Sequence, residues 1–132
     1  MQKALLLFLL AFPLQSFAKE LSVPVIIGEP GTGIVDACPS LGSIAGLKSK
    51  KGSFLAVRSG PGTRYAMIDK LYERQTFYMC GISKDGQWHS IVYSEEPLID
   101  CNVSMAVDKP QVYSGKCKSG WVHRKWVEVL AG

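Results

Sequence analysis

Leu55-Ala56-Val57-Arg58-Ser59-Gly60-Pro61-Gly62-Thr63-Arg64-Tyr65 is the stretch that decides how this chain folds. Leu55 and Val57 fall on one face of a period-two pattern, and Ala56 and Arg58 on the other, as in a half-buried strand. The strand runs into Gly60-Pro61-Gly62, where glycine permits a positive φ and proline holds its own, so the chain turns. A second marker stands near the far end, Gly120-Trp121-Val122-His123-Arg124-Lys125-Trp126-Val127. Between the two, Met67–Leu71, Thr76–Cys80 and Trp88–Tyr93 read as strands rich in β-branched and aromatic residues. Lys84-Asp85-Gly86 carries a hairpin signal. Upstream, Gly42–Leu47 alternates small and apolar residues as a first strand, and Phe54–Ser59 is the next extended piece. No long helical period and no internal repeat is present.

These two segments resemble the signature of the bacterial SH3-like domains, Leu-x-Val-Arg-x-Gly-Pro-Gly, then an aromatic, then Gly-Trp-Val near the end. The likeness covers residues 42–130 and implies an all-β fold, a small SH3-like barrel. The chain departs from that plan twice. Residues 94–119 intervene where a compact barrel would turn within a few residues. Arg74 stands where the family often turns on glycine before a strand. A long connection in a compact domain is usually functional or tied down. Cys101 and Cys117 lie near the two ends of this insert, so a Cys101–Cys117 bond would staple it at its base as an Ω-like loop or small hairpin. Four cysteines allow three pairings. This one leaves Cys38–Cys80, which fastens an N-terminal arm, residues 19–41, to a central strand.

The first 18 residues have the layout of a secretory signal peptide. Lys3 precedes the apolar run Ala4–Phe12, then come Pro13 and Ser16-Phe17-Ala18, with cleavage expected after Ala18. Spanning a bilayer takes about 20 apolar residues, and this run is nearer half that, so no stable membrane insertion is expected after cleavage. An even cysteine count in a short exported chain reads as disulfides. A metal site would use His89 and His123 with the cysteines, but zinc sites usually show close pairs such as Cys-x-x-Cys, and none occurs. The net charge of +4 includes Lys3, and the remaining bias is too weak to imply nucleic acid. A periplasmic or secreted location follows.

The motifs argue against catalysis. A cysteine protease needs a free thiolate beside a histidine, and there is no Gly-x-Ser-x-Gly elbow. Gly28-Glu29-Pro30-Gly31-Thr32-Gly33 lacks the Gly-Lys-Ser/Thr ending of a phosphate loop. Asn102-Val103-Ser104 fits a glycosylation sequon in a context the resemblance makes bacterial. No cofactor or metal is expected. Aromatic and basic side chains are left as candidates: Arg58, Arg64, Tyr65, Trp88 and Trp126 for ligand binding, with Tyr93, Tyr113 and Trp121 as further aromatics. Tyr65, Trp88 and Trp126 are expected at the surface, and Trp121 in the core or at a strand end. Arg58 has Asp69 as a pairing partner across the loop. The resemblance implies non-catalytic binding in the cell envelope, to a peptide, a protein partner or peptidoglycan. An alternative is a periplasmic immunity or inhibitor protein that blocks a toxin or cell-wall hydrolase with its insert.

Overall fold

A computed structural model describes residues 10, 11, 13, 21–28, 36–47, 51–97 and 99–132. The signal segment expected over residues 1–18 lies outside these, apart from Leu10, Ala11 and Pro13, as does most of the Gly28–Gly33 loop. The described chain is all-β. Its strands are β1 (Ile26–Ile27), β2 (Ser40–Ile44), β3 (Leu55–Arg58), β4 (Met67–Leu71), β5 (Thr76–Ile82), β6 (Trp88–Tyr93), β7 (Gln111–Val112), β8 (Lys118–His123) and β9 (Val127–Ala131), with one 3-10 turn at Arg124–Trp126. Seven strands form an antiparallel sheet in the order β4-β3-β8-β6-β5-β2-β9. Among the described residues no ladder joins β4 to β9, so this sheet is open where the resemblance implied a closed barrel. The open edge at β4 carries Lys70 among its apolar residues, a charge that discourages strand-to-strand aggregation.

Strand β5 shows why the sheet sits in the middle of the molecule. Phe77 and Met79 point one way, into a core with Ile44, Leu55, Val57, Leu71, Ile91, Tyr93 and Val122. Tyr78 and Cys80 point the other way, into a second core with Val25, Ile27, Ala37, Cys38, Val92, Cys101, Val103 and Tyr113. Both faces of β5 and β6 are therefore apolar, which explains their nearly continuous hydrophobic sequence.

The arm and the insert build the second core together. Their short strands pair, Ile26 with Val112 and Ile27 with Gln111, in a separate two-stranded sheet. An isolated bridge joins Asp36 to Ala106. Two disulfides form, Cys38–Cys80 and Cys101–Cys117, the pairing favoured from the insert's ends. Such bonds persist in oxidising compartments. Tyr113 closes the insert from inside: its hydroxyl donates to the Cys101 carbonyl at 2.9 Å and accepts from the Cys117 amide at 3.1 Å. Tyr113 is thus a core residue, not a groove aromatic. Ser40 and Leu41, assigned to the arm from sequence, already belong to β2. Among the described residues no helix is long and apolar enough to cross a membrane.

Candidate functional site

The two signature segments meet on neighbouring strands. Arg58 of β3 pairs with Trp121 of β8, Trp121 with Ser90 of β6, and Ser90 with Gly81 of β5. Directly paired residues project to the same side of a sheet, so this row runs across the face that the arm covers. One step along, Trp88 pairs with His123, and their rings meet edge to face at 5.1 Å.

The arm lies on this face as an extended segment. The Val23 amide donates to the Ser59 carbonyl at 2.8 Å, and the Ser59 hydroxyl donates to the Leu21 carbonyl at 2.9 Å. Trp121 Nε1 donates to the Val23 carbonyl at 2.9 Å, and the Tyr113 amide to the Val25 carbonyl at 2.9 Å. Beside this track is a groove of about 300 Å³ lined by Val23, Pro24 and Ile26 of the arm and by Gly81, Ile82, Ser90 and Trp121 of the sheet. Ile82 is 54 % exposed and Ile26 is exposed as well. These side chains offer flat apolar area within reach of backbone groups, the chemistry by which extended peptides are held.

The sequence-predicted residues divide around this groove. Tyr65 and Trp88 are buried, at 8 % and 7 % exposure, where surface positions were expected. The Tyr65 ring lies against Gly60, and an added Cβ there would come within 2.4 Å of it. Trp88 is held in β6 against His123. Arg58 does not reach Asp69. Val57 is the cross-strand partner of Asp69, so Arg58, on the opposite side of β3, instead donates to the Tyr65 carbonyl at 3.0 Å and the Thr63 carbonyl at 3.4 Å. Arg64 donates to the Tyr65 hydroxyl at 3.0 Å. These three residues therefore brace the loop after β3 and place Ser59 for the arm. Trp126 is half-buried and sits apart, against the first core. Ile26, Ile82 and Ser90 had no signal in the sequence, because an isoleucine at a strand end and a serine within a strand are ordinary. Trp121 was expected in the core or at a strand end, and it is buried, at 8 % exposure, with its indole N–H turned to the arm.

Charge is concentrated elsewhere. Asp69 accepts from the Tyr93 hydroxyl at 2.8 Å and from Lys118 Nζ at 3.4 Å, and Lys118 also bonds Glu95 at 2.7 Å. Burial alone would push the Asp69 carboxyl up, but the Lys70 amide, the Tyr93 hydroxyl and the Lys118 ammonium outweigh it and hold the group below its usual value. Burial, then the Asp69 carboxylate, pushes the Tyr93 phenol up. Burial likewise depresses His89. A wider depression over β4 passes this cluster, but its aspartate is already saturated by partners. Among the described residues no group of three or more histidine, cysteine, aspartate or glutamate side chains is arranged to hold a metal, and every cysteine is in a disulfide. No family model, curated protein or solved structure matches the chain.

Proposed function

We propose that this chain is a non-catalytic binding protein of the bacterial cell envelope, built on an SH3-like plan and exported to an oxidising compartment. Its groove beside Trp121 holds an extended apolar segment of a partner protein. The observation that carries this reading is the groove's position alongside the docked arm: a segment entering it lies parallel to a piece of extended chain that the same face already holds through Ser59 and Trp121. The rung between Arg58 and Trp121 supports the SH3-like plan, since it joins the two signature segments. The two disulfides support the compartment.

A photo-crosslinking residue at position 82, in protein exported by a bacterial host, tests the groove. One discrete protein adduct is expected there, and none from the same residue at position 109, in the insert. Failure to trap a protein at position 82, together with saturable retention on purified peptidoglycan that Ile82→Asp leaves unchanged, would overturn it. A second reading, inhibition by the insert, has one observation in its favour: Met105 projects from the insert and is exposed. An adduct from position 105 and not from 82 would decide for it.

A further inference from the structure

Between the segment that leads into β3 and the 3-10 turn, a second cleft of about 520 Å³ opens, lined by Leu47, Lys51, Gly52, Ser53, Phe54 and Trp126. Phe54 is 40 % exposed and Trp126 half-buried, so two aromatic side chains bracket an open apolar floor. One lysine lines it and two more stand against its rings. Lys70 Nζ lies 4.4 Å from the Phe54 ring centroid, and Lys125 Nζ lies 5.0 Å from that of Trp126. Lys51 lines the cleft itself. Among the described residues the lysine–carboxylate pairs are those of Lys118, so none of these three ammonium groups is paired with a described acid. The nearby Glu73 carboxylate is turned to backbone, accepting from the Gly46 and Leu47 amides at 3.1 and 3.0 Å.

We infer that this cleft is a second binding site, which takes an acidic stretch of a protein partner with apolar residues between its carboxylates. The three ammonium groups favour this ligand over a neutral sugar, which brings no charge for them to pair. Each ring carries an ammonium within cation–π range. The cleft presents cations around an apolar floor, which suits carboxylates at the rim and a leucine- or phenylalanine-like side chain between them. The site rests on the reading of the chain as a binding protein but shares no residue with the Trp121 groove.

The test uses a short fluorescein-labelled peptide of alternating glutamate and leucine, and its glutamine counterpart, read by fluorescence anisotropy on the oxidised protein. Saturable binding of the acidic peptide is expected, weakening as salt shortens the range of surface charge to below about 10 Å. The glutamine peptide should bind at least roughly ten-fold more weakly. Phe54→Ala, and Lys51→Ala combined with Lys125→Ala, should each weaken the acidic peptide roughly ten-fold, with melting curves showing that both variants fold. Lys109→Ala removes the same charge in the insert and should leave binding unchanged. Ile82→Asp should also leave it unchanged, which separates this site from the groove. Equal binding of the two peptides would overturn the inference. So would an equal loss with Lys109→Ala, or Phe54-dependent binding of peptidoglycan fragments in place of the peptide.

Discussion

Gly60 and Gly120 show that a signature glycine has its reason in space as well as in dihedral angles. The glycines of Gly60-Pro61-Gly62 were read from sequence as permitting a positive φ, and neither adopts one. Gly60 is small because the Tyr65 ring lies on it, and Gly120 because Val57 Cγ1 and the Arg58 carbonyl come within 2.4 and 3.1 Å of a Cβ placed there. Gly60→Ala should therefore cost about 1–3 kcal/mol by overpacking, seen as a lower chemical-denaturation midpoint. A Tyr65→Ala background should relieve much of that cost, because the two positions share one contact. The left-handed conformation instead falls on Arg74, with φ 68°, at the position where the resembled family often has glycine. A β-branched residue tolerates that region worst, so Arg74→Val should lower stability by about 1 kcal/mol. An unchanged melting temperature would count against strain at this turn.

At the scale of elements, the arm and the insert are one unit. Each supplies a two-residue strand to the other, and each enters the second core behind β5 and β6. Neither short strand was legible as a ladder, because a pair of two-residue strands depends on the tertiary contacts that bring them together. The cysteines were legible because the insert interrupts a recognisable strand plan. Their bonds close loops of different length, Cys38–Cys80 spanning 42 positions and Cys101–Cys117 spanning 16. If chain entropy dominates, opening the first should cost roughly 1 kcal/mol more than opening the second. Urea melts of Cys38→Ala/Cys80→Ala beside Cys101→Ala/Cys117→Ala measure this. A larger loss from the insert pair would show that its bond holds native structure beyond loop closure, with the Tyr113 clasp as the first place to look.

Across the whole molecule, Asp69 ties β4 to β6 through Tyr93 and to β8 through Lys118. Its carboxyl is held below the ordinary value, about 3.9 for a free aspartate. Between those two values the unfolded chain binds a proton that the folded chain does not, so acid drives unfolding. The stabilisation is present above about pH 4 and is lost as pH falls through the folded value. Asp69→Asn should flatten the fall in melting temperature below about pH 4. A fall as steep as in the unmodified protein would place the acid sensitivity elsewhere. By itself, the sequence determined what depends on near neighbours and on counting: all-β character, the strands from β3 to β6, the Asp-Gly turn and an even set of cysteines. Those features follow from period-two apolar patterns and turn residues acting over a few positions. Only the tertiary structure decided that the sheet stays open, that Tyr65 and Trp88 are buried, and that the arm lies along Trp121 with a groove beside it. These depend on which face of β6 and β8 a distant segment covers, and an apolar residue has the same identity whether that segment buries it or leaves it exposed.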